Sequence, residues 1–429
     1  MSNLLNRIII TSLIFISLIA GYRPISLGRE DLISAYSAIT VDGFDFIIVG
    51  RALAEGFIGE IISLRNPAYT LISYLDAITG KVGLIFGATI SLSLILQIFS
   101  LIKIMKFFRL QIVMQNLILL SFFIHWIHFI NLYILSDLFS LSVMLLGFYF
   151  LVTGLNAINF TRKEFIGILL ISVSALGQFY TLLSLGVLIL KITNFSINKV
   201  IRFKILSIVV FNIFIIVAVR SYWNFLIPHK SVPLNLELIK FNFNMFNFYL
   251  NTWFVMFMPL VIPVIIFVMP RIKKDFLYNL SKESLFFKSN VLVIALITFF
   301  YQWAESRFSY LLFIFTFVLV IYTVRNNEKI WKDFLYLCTV LTILFSVFWS
   351  PTNKWQPRVG ETVFFRPWIV ERYWETVPFK YYVELRESYC GISGASEKEK
   401  RWEQINNSDI LRLVEPVRET ALFGIRNCL

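Results

Sequence analysis

Long apolar runs separated by short, mostly basic segments fill the first 350 residues of this chain. A membrane-spanning helix needs about 20 mostly apolar residues, somewhat fewer where neighbours shield it. The pattern predicts eleven spans, over about 5–22, 82–101, 111–129, 133–154, 165–179, 180–192, 205–219, 248–269, 289–303, 308–324 and 334–349. The runs at 165–179 and 180–192 are short, with little chain between them. The first run is preceded only by Arg7, and reads either as a span or as a cleaved signal peptide.

Two polar stretches interrupt the series. Residues 23–81 form the first, and its second half, 66–80, predicts an interfacial helix opening at Pro67. Residues 220–247 read as a loop plus an interfacial helix, with aromatics and asparagines that suit the headgroup region. Beyond residue 349 the chain is polar and aromatic, and no run is long enough to span. The expected fold class is therefore all-α and polytopic. A transmembrane domain over 1–349 is followed by a small extramembrane domain over 350–429.

Composition agrees with the pattern. The chain is 58% hydrophobic with mean hydropathy +0.75, and only 15% of it is charged. Soluble domains are about 25% charged, so a soluble protein is excluded. The net charge of +13 does not point to nucleic acid, because excess Lys and Arg in such a chain mark cytoplasmic loops. With the N-terminus inside, the short cytoplasmic segments hold 18 of the 39 basic residues, Lys191 among them. Their only acids are Glu164, Asp275, Glu283, Glu328 and Asp333. This asymmetry predicts a cytoplasmic N-terminus, and the odd span count then puts the C-terminus outside. Cys338 lies in an apolar run and reads as a small core residue. Cys390 and Cys428 share the polar tail and would pair if it faces an oxidising compartment.

Candidate chemistry gathers at the outer face of this topology. Asp42 and Asp45, three residues apart, share a face if their segment is helical. Asp137 stands at the outer start of the fourth span, Arg220 at the outer end of the seventh, and Glu305 with Arg307 between the ninth and tenth. Arg65 ends the first outer loop. Carboxylates in partly apolar surroundings suit proton abstraction, and arginine forks match phosphate oxygens. The combination suggests a lipid-linked phosphate substrate. Plainer readings stand beside it: a loop ion pair for Glu305 and Arg307, a helix cap for Asp137, an interfacial anchor for Arg220. His125 and His128 read as interfacial aromatics, not metal ligands. Redox, protease and nucleotide-hydrolysis motifs are lacking in the sequence.

The order of these elements resembles the GT-C superfamily of polytopic glycosyltransferases, including its protein-mannosyltransferase-like members, which use polyprenyl-phosphate-linked sugars. The resemblance rests on Asp42-Gly-Phe-Asp45-Phe46, then Gly50-Arg-Ala-Leu-Ala-Glu-Gly56, then Asn66-Pro67-Ala68-Tyr69. Ser136-Asp137, the stretch Arg220 to Asn224, and Glu305-Ser306-Arg307-Phe308 extend it over about residues 1–350. The resemblance implies that Asp42 is the catalytic aspartate, taking the acceptor's proton or orienting its hydroxyl. Asp45 would assist, and Asp137 would be the second carboxylate. Arg307, beside Glu305 and with Arg220 or Arg65, would hold the donor phosphate. The metal requirement stays open: Asp42, Asp45 and Asp137 are the acids that would hold a divalent ion. Two departures are visible. Many relatives carry Arg-Pro near the outer end of the fifth span, where this chain has Gly177-Gln178-Phe179-Tyr180, and Phe46 replaces a commoner tyrosine.

The expected activity is inverting transfer of a monosaccharide from a polyprenyl phosphate to a cell-envelope glycan, lipid or protein at the outer leaflet. The expected partners are that lipid-linked sugar, the acceptor and the bilayer. The expected location is a bacterial inner membrane, with the C-terminus periplasmic. A polysaccharide-repeat polymerase or ligase, and a lipid-linked-sugar transporter or flippase, are the other readings.

Overall fold

In the computed structural model, the continuous described stretches are residues 2–25, 66–80, 83–124, 136–155, 159–188, 198–226 and 391–406. Shorter pieces are described at 46, 50, 53–54, 56, 191–192, 288, 290, 292–294, 311, 313–315, 317–318, 321, 332–333, 336–341, 349–351, 357–359 and 388–389. Among the described residues, eight α-helices can be followed in order. They are α1 (Ser2–Ile25), α2 (Pro67–Ile78), α3 (Leu84–Phe107), α4 (Ile112–Ile124), α5 (Ser136–Leu155), α6 (Arg162–Gly177), α7 (Lys199–Leu226) and α8 (Ala395–Asn406). A 3₁₀ helix, Phe179–Leu188, lies between α6 and α7. One two-stranded antiparallel ribbon pairs β1 (Trp349–Pro351) with β2 (Pro357–Val359).

Among the described residues, four helices are long and apolar enough to cross a bilayer: α1, α3, α5 and α7. Helices α1 and α7 leave long rows of large apolar side chains uncovered, including Phe15, Leu18 and Ile19 on α1 and Phe203, Phe211 and Phe214 on α7. Contiguous apolar surface of that extent is tolerable in lipid and not in water. The chain is a helical membrane protein.

Several boundaries differ from the sequence pattern, and in one direction. Helix α3 runs on through Phe107 and carries Lys103 and Lys106. Helix α7 includes Lys199, Arg202 and Lys204 at its start, and Arg220 and Trp223 near its end. The pattern put those residues in loops. Hydropathy sees only the hydrocarbon-buried part of a helix, while the backbone hydrogen bonding continues past it. Arg202 and Arg220 are 18 residues apart on α7, or about 27 Å at 1.5 Å per residue, close to the thickness of the hydrocarbon layer. The expected spans at 165–179 and 180–192 correspond to α6 and the 3₁₀ helix, with Gln178 between them. The span at 248–269 lies outside the described residues, as do Cys390 and Cys428.

Close packing depends on small residues where helices touch, since lipid supplies no hydrophobic drive between them. Helices α1 and α3 meet at Gly21, Ser91 and Gly87, and a Cβ on Gly21 would collide with both partners. There the Ser91 hydroxyl donates to the Ser17 carbonyl at 3.0 Å. Helix α1 is thus seated in the bundle. Helices α5 and α6 form an antiparallel hairpin. A Cβ on Gly147 would sit 2.9 Å from the Gly167 carbonyl oxygen, and one on Gly167 2.7 Å from that of Gly147. Gly177 packs on Ser140 at one end of the hairpin, and Gly154 on Thr161 and Glu164 at the other.

Gly167→Ala is expected to lower stability by about 1–3 kcal/mol through overpacking. That outweighs the roughly 1 kcal/mol alanine would contribute as a better helix former, because the atom it meets is backbone. Unfolding of the purified protein checks this. An unchanged or raised midpoint would show that the hairpin can part without cost.

Buried polar side chains join the helices. Gln97 donates to the Ser142 hydroxyl at 2.9 Å, and the Ser121 and Thr339 hydroxyls lie 2.8 Å apart. Phe122 packs on Phe313 and Phe317, and Phe148 on Phe315, so these three phenylalanines dock against α4 and α5. Cys338 is buried in this core, as its apolar run predicts. In the tail, α8 packs Trp402 on Tyr389, while Arg401 donates to Ser388 at 2.9 Å.

Candidate functional site

The short helix α2 organises one end of the bundle. Asn66 precedes it in extended conformation and Pro67 occupies its first turn, where a missing N–H costs nothing. At 12 residues it is too short to span. Its polarity is inverted. Tyr69, Thr70, Ser73 and Asp76 are buried, whereas Leu71 (57% exposed) and Ile78 (54%) face outward. A helix that buries hydroxyls and a carboxylate while presenting leucine and isoleucine suits lipid on one side and a polar protein interior on the other.

Asp76 fixes α2 to α3. Its carboxylate accepts the backbone N–H groups of Gly83, Ile85 and Phe86 at 2.8, 2.7 and 3.2 Å. These are donors that the first turn of a helix cannot satisfy internally, and the negative charge complements the helix dipole. Gly83 makes the turn possible with φ of 81°. Arg220 fixes α2 to α7: its Nη2 donates to Asn66 Oδ1 at 2.8 Å. The Asn66 side chain makes no cap bond to its own helix.

Asp137 enters from α5. It lies in that helix's first turn and is 1% exposed. The Tyr180 hydroxyl, at the start of the 3₁₀ helix, donates to its Oδ1 at 2.7 Å. Gly177 and Ser140 pack together beside this bond. Tyr180 belongs to the Gly177–Tyr180 stretch where the resemblance to known transferases breaks down. Its role is visible only once α5 and α6 are folded back on each other.

Tyr69 stands between these groups. It is 0% exposed. Its ring meets Phe46 edge-on at 4.6 Å and Phe86 at 5.8 Å. Burial, reinforced by the Asp76 and Asp137 carboxylates, holds its phenol well above the ordinary tyrosine range, so it keeps its proton. Among the described residues its hydroxyl has no hydrogen-bond partner, and neither do those of Thr70 and Ser140.

No family model, curated protein or solved structure matches the chain.

The structure therefore brings together α2, Asp137, Tyr180 and the Arg220–Asn66 pair at one end of the bundle. Phe46, the residue after Asp45, docks there on Tyr69. Gly50 packs against Ser73, whose backbone a Cβ would strike. Asp42, Asp45, Arg65, Glu305 and Arg307 lie outside the described residues. No group of three or more His, Cys, Asp or Glu among the described residues is placed to hold a metal ion. Sequence reasoning missed Tyr69, Asp76 and Tyr180 as members of the site. A signal existed for the first two: Tyr69, Ser73 and Asp76 repeat at i, i+4 and i+7, a polar stripe on an otherwise apolar helix.

Proposed function

We propose that the protein is a polytopic membrane glycosyltransferase of the GT-C type. It moves a monosaccharide from a polyprenyl-phosphate donor to a cell-envelope glycan, lipid or protein at the outer leaflet. About eleven spans, a cytoplasmic N-terminus, a periplasmic C-terminus and a bacterial inner membrane belong to this reading. The observation that carries it is the buried cluster of Asp137, Tyr180 and Tyr69 at the bundle end, where Phe46 packs on Tyr69. A buried carboxylate held by a tyrosine among helix ends suits proton transfer from an acceptor hydroxyl. Arg220, tied to the same helix through Asn66, offers a cation for the leaving phosphate. In this reading Asp42 is the principal base and Asp45 its neighbour. Arg65, Glu305 and Arg307 complete the phosphate side.

A transporter would place its polar residues near mid-depth. The buried pairs Gln97–Ser142 and Ser121–Thr339 bond to each other, which suits helix association.

Glycan and glycolipid profiling of cells carrying Asp42→Asn, at protein levels matched to wild type, tests the reading. The substitution keeps shape and removes the base. Loss of one sugar from an envelope product is the expected result. An unchanged profile, with the wild-type gene active in the same assay, would remove Asp42 from catalysis and favour transport.

A further inference from the structure

Three hydroxyls at the α2 end of the bundle are buried without a hydrogen-bond partner among the described residues: Tyr69 Oη, Thr70 Oγ1 and Ser140 Oγ. Tyr69 and Thr70 are adjacent on α2, and Ser140 lies one turn after Asp137 on α5. Buried polar groups are almost always paired, so unpaired ones need an explanation. Each hydroxyl can both donate and accept. The charged neighbours decide what would satisfy them. Both Asp76 oxygens accept backbone N–H groups, and Asp137 accepts from Tyr180. An anion would face two carboxylates, and a cation would compete with the donors those carboxylates already hold. A neutral ligand rich in hydroxyls meets neither obstacle.

We propose that Tyr69 is a specificity-determining residue that hydrogen-bonds a hydroxyl of the donor's sugar ring, with its neighbour Thr70 assisting. This rests on the transferase reading. It divides the site into a neutral sugar side at Tyr69 and a phosphate side at Arg220.

Tyr69→Phe removes the hydroxyl and keeps the ring, and Thr70→Val does the same for its neighbour. If these hydroxyls serve only the fold, deleting them removes an unsatisfied buried group and leaves ligand binding untouched. The full-length protein in detergent micelles is titrated with decaprenyl-phosphoryl mannose, glucose, galactose and arabinose, and with decaprenyl phosphate lacking sugar. Native mass spectrometry reads the bound fraction. For the sugar that wild type prefers, Tyr69→Phe is expected to raise Kd tenfold or more. It should leave decaprenyl phosphate binding unchanged and the melting midpoint equal or higher. Thr70→Val is expected to weaken the same sugar, by less. An unchanged Kd in Tyr69→Phe overturns the assignment. So does equal weakening of the sugar-free lipid, or a lowered midpoint. If wild type binds no sugar-bearing lipid more tightly than decaprenyl phosphate, the transferase reading itself fails and the subsite falls with it.

Discussion

Under the proposed transferase function, Asp137→Asn is expected to leave the protein folded and to lower sugar transfer by about 100- to 10,000-fold, the range that a positioned acid or base contributes. The side chain is 1% exposed in the first turn of α5, so the isosteric amide fits the same space. Its oxygen can still accept the Tyr180 hydroxyl now bonded to Oδ1 at 2.7 Å. What disappears is the charge. Burying a neutral amide costs less than burying a carboxylate, so stability should hold or rise while catalysis falls. Tyr180→Phe should do the reverse. Losing a hydrogen bond to a charged group costs about 1.5–3 kcal/mol of stability, while the carboxylate remains to do chemistry. Transfer kinetics with a lipid-linked sugar, paired with unfolding measurements on both variants, read the contrast. An Asp137→Asn enzyme within tenfold of wild type would take Asp137 out of the reaction.

The membrane class and the positions of the early helices were legible because lipid imposes a length and a composition that hydropathy reads directly. Helix α2 was legible from Pro67 and the polar context around it. Its orientation was not: an interfacial helix is expected to bury its apolar face, and α2 buries Tyr69, Thr70, Ser73 and Asp76 instead. The inversion makes sense only with lipid outside and polar helix termini inside. Asp137 stood out because an acid at the start of an apolar run is rare. Tyr180 did not, since a tyrosine near a membrane surface has an ordinary explanation as an interfacial anchor. Its partner lies 43 residues earlier, a distance that no periodicity crosses. The helix ends at Phe107 and Leu226 overran the apolar pattern because lysine and arginine are good helix formers.

The second large effect is at the other end of the α5–α6 hairpin. Lys191 counts toward the cytoplasmic basic loops in the charge pattern, yet it is wholly buried and ion-paired to Glu164, also wholly buried. Glu164 does three things there. Its Oε1 meets the Lys191 ammonium. Its Oε2 accepts the Thr161 backbone N–H at 2.8 Å. Its own N–H is held by the Thr161 hydroxyl at 3.2 Å, completing a capping box at the start of α6. Lys191 also donates to the Gly154 carbonyl at 3.3 Å, on the last turn of α5. The pair thus ties the chain after the 3₁₀ helix to the α5–α6 turn. Gly154 has no side chain because Glu164 and Thr161 occupy that space.

Lys191→Met leaves the Glu164 charge buried, and Glu164→Gln leaves the ammonium. Each is expected to cost about 3–5 kcal/mol, the usual consequence of removing one partner of a buried ion pair. Glutamine keeps the capping geometry, so the loss in that variant isolates the charge. The double variant should be far more stable than the sum of the two losses predicts, because neither charge remains to be left alone. With folded domains only about 5–15 kcal/mol more stable than their unfolded states, either single variant should also be depleted in the membrane. Steric-trapping or denaturant unfolding of the four proteins gives the coupling directly. Single variants within about 0.5 kcal/mol of wild type would mean that water or lipid headgroups reach the pair and solvate it.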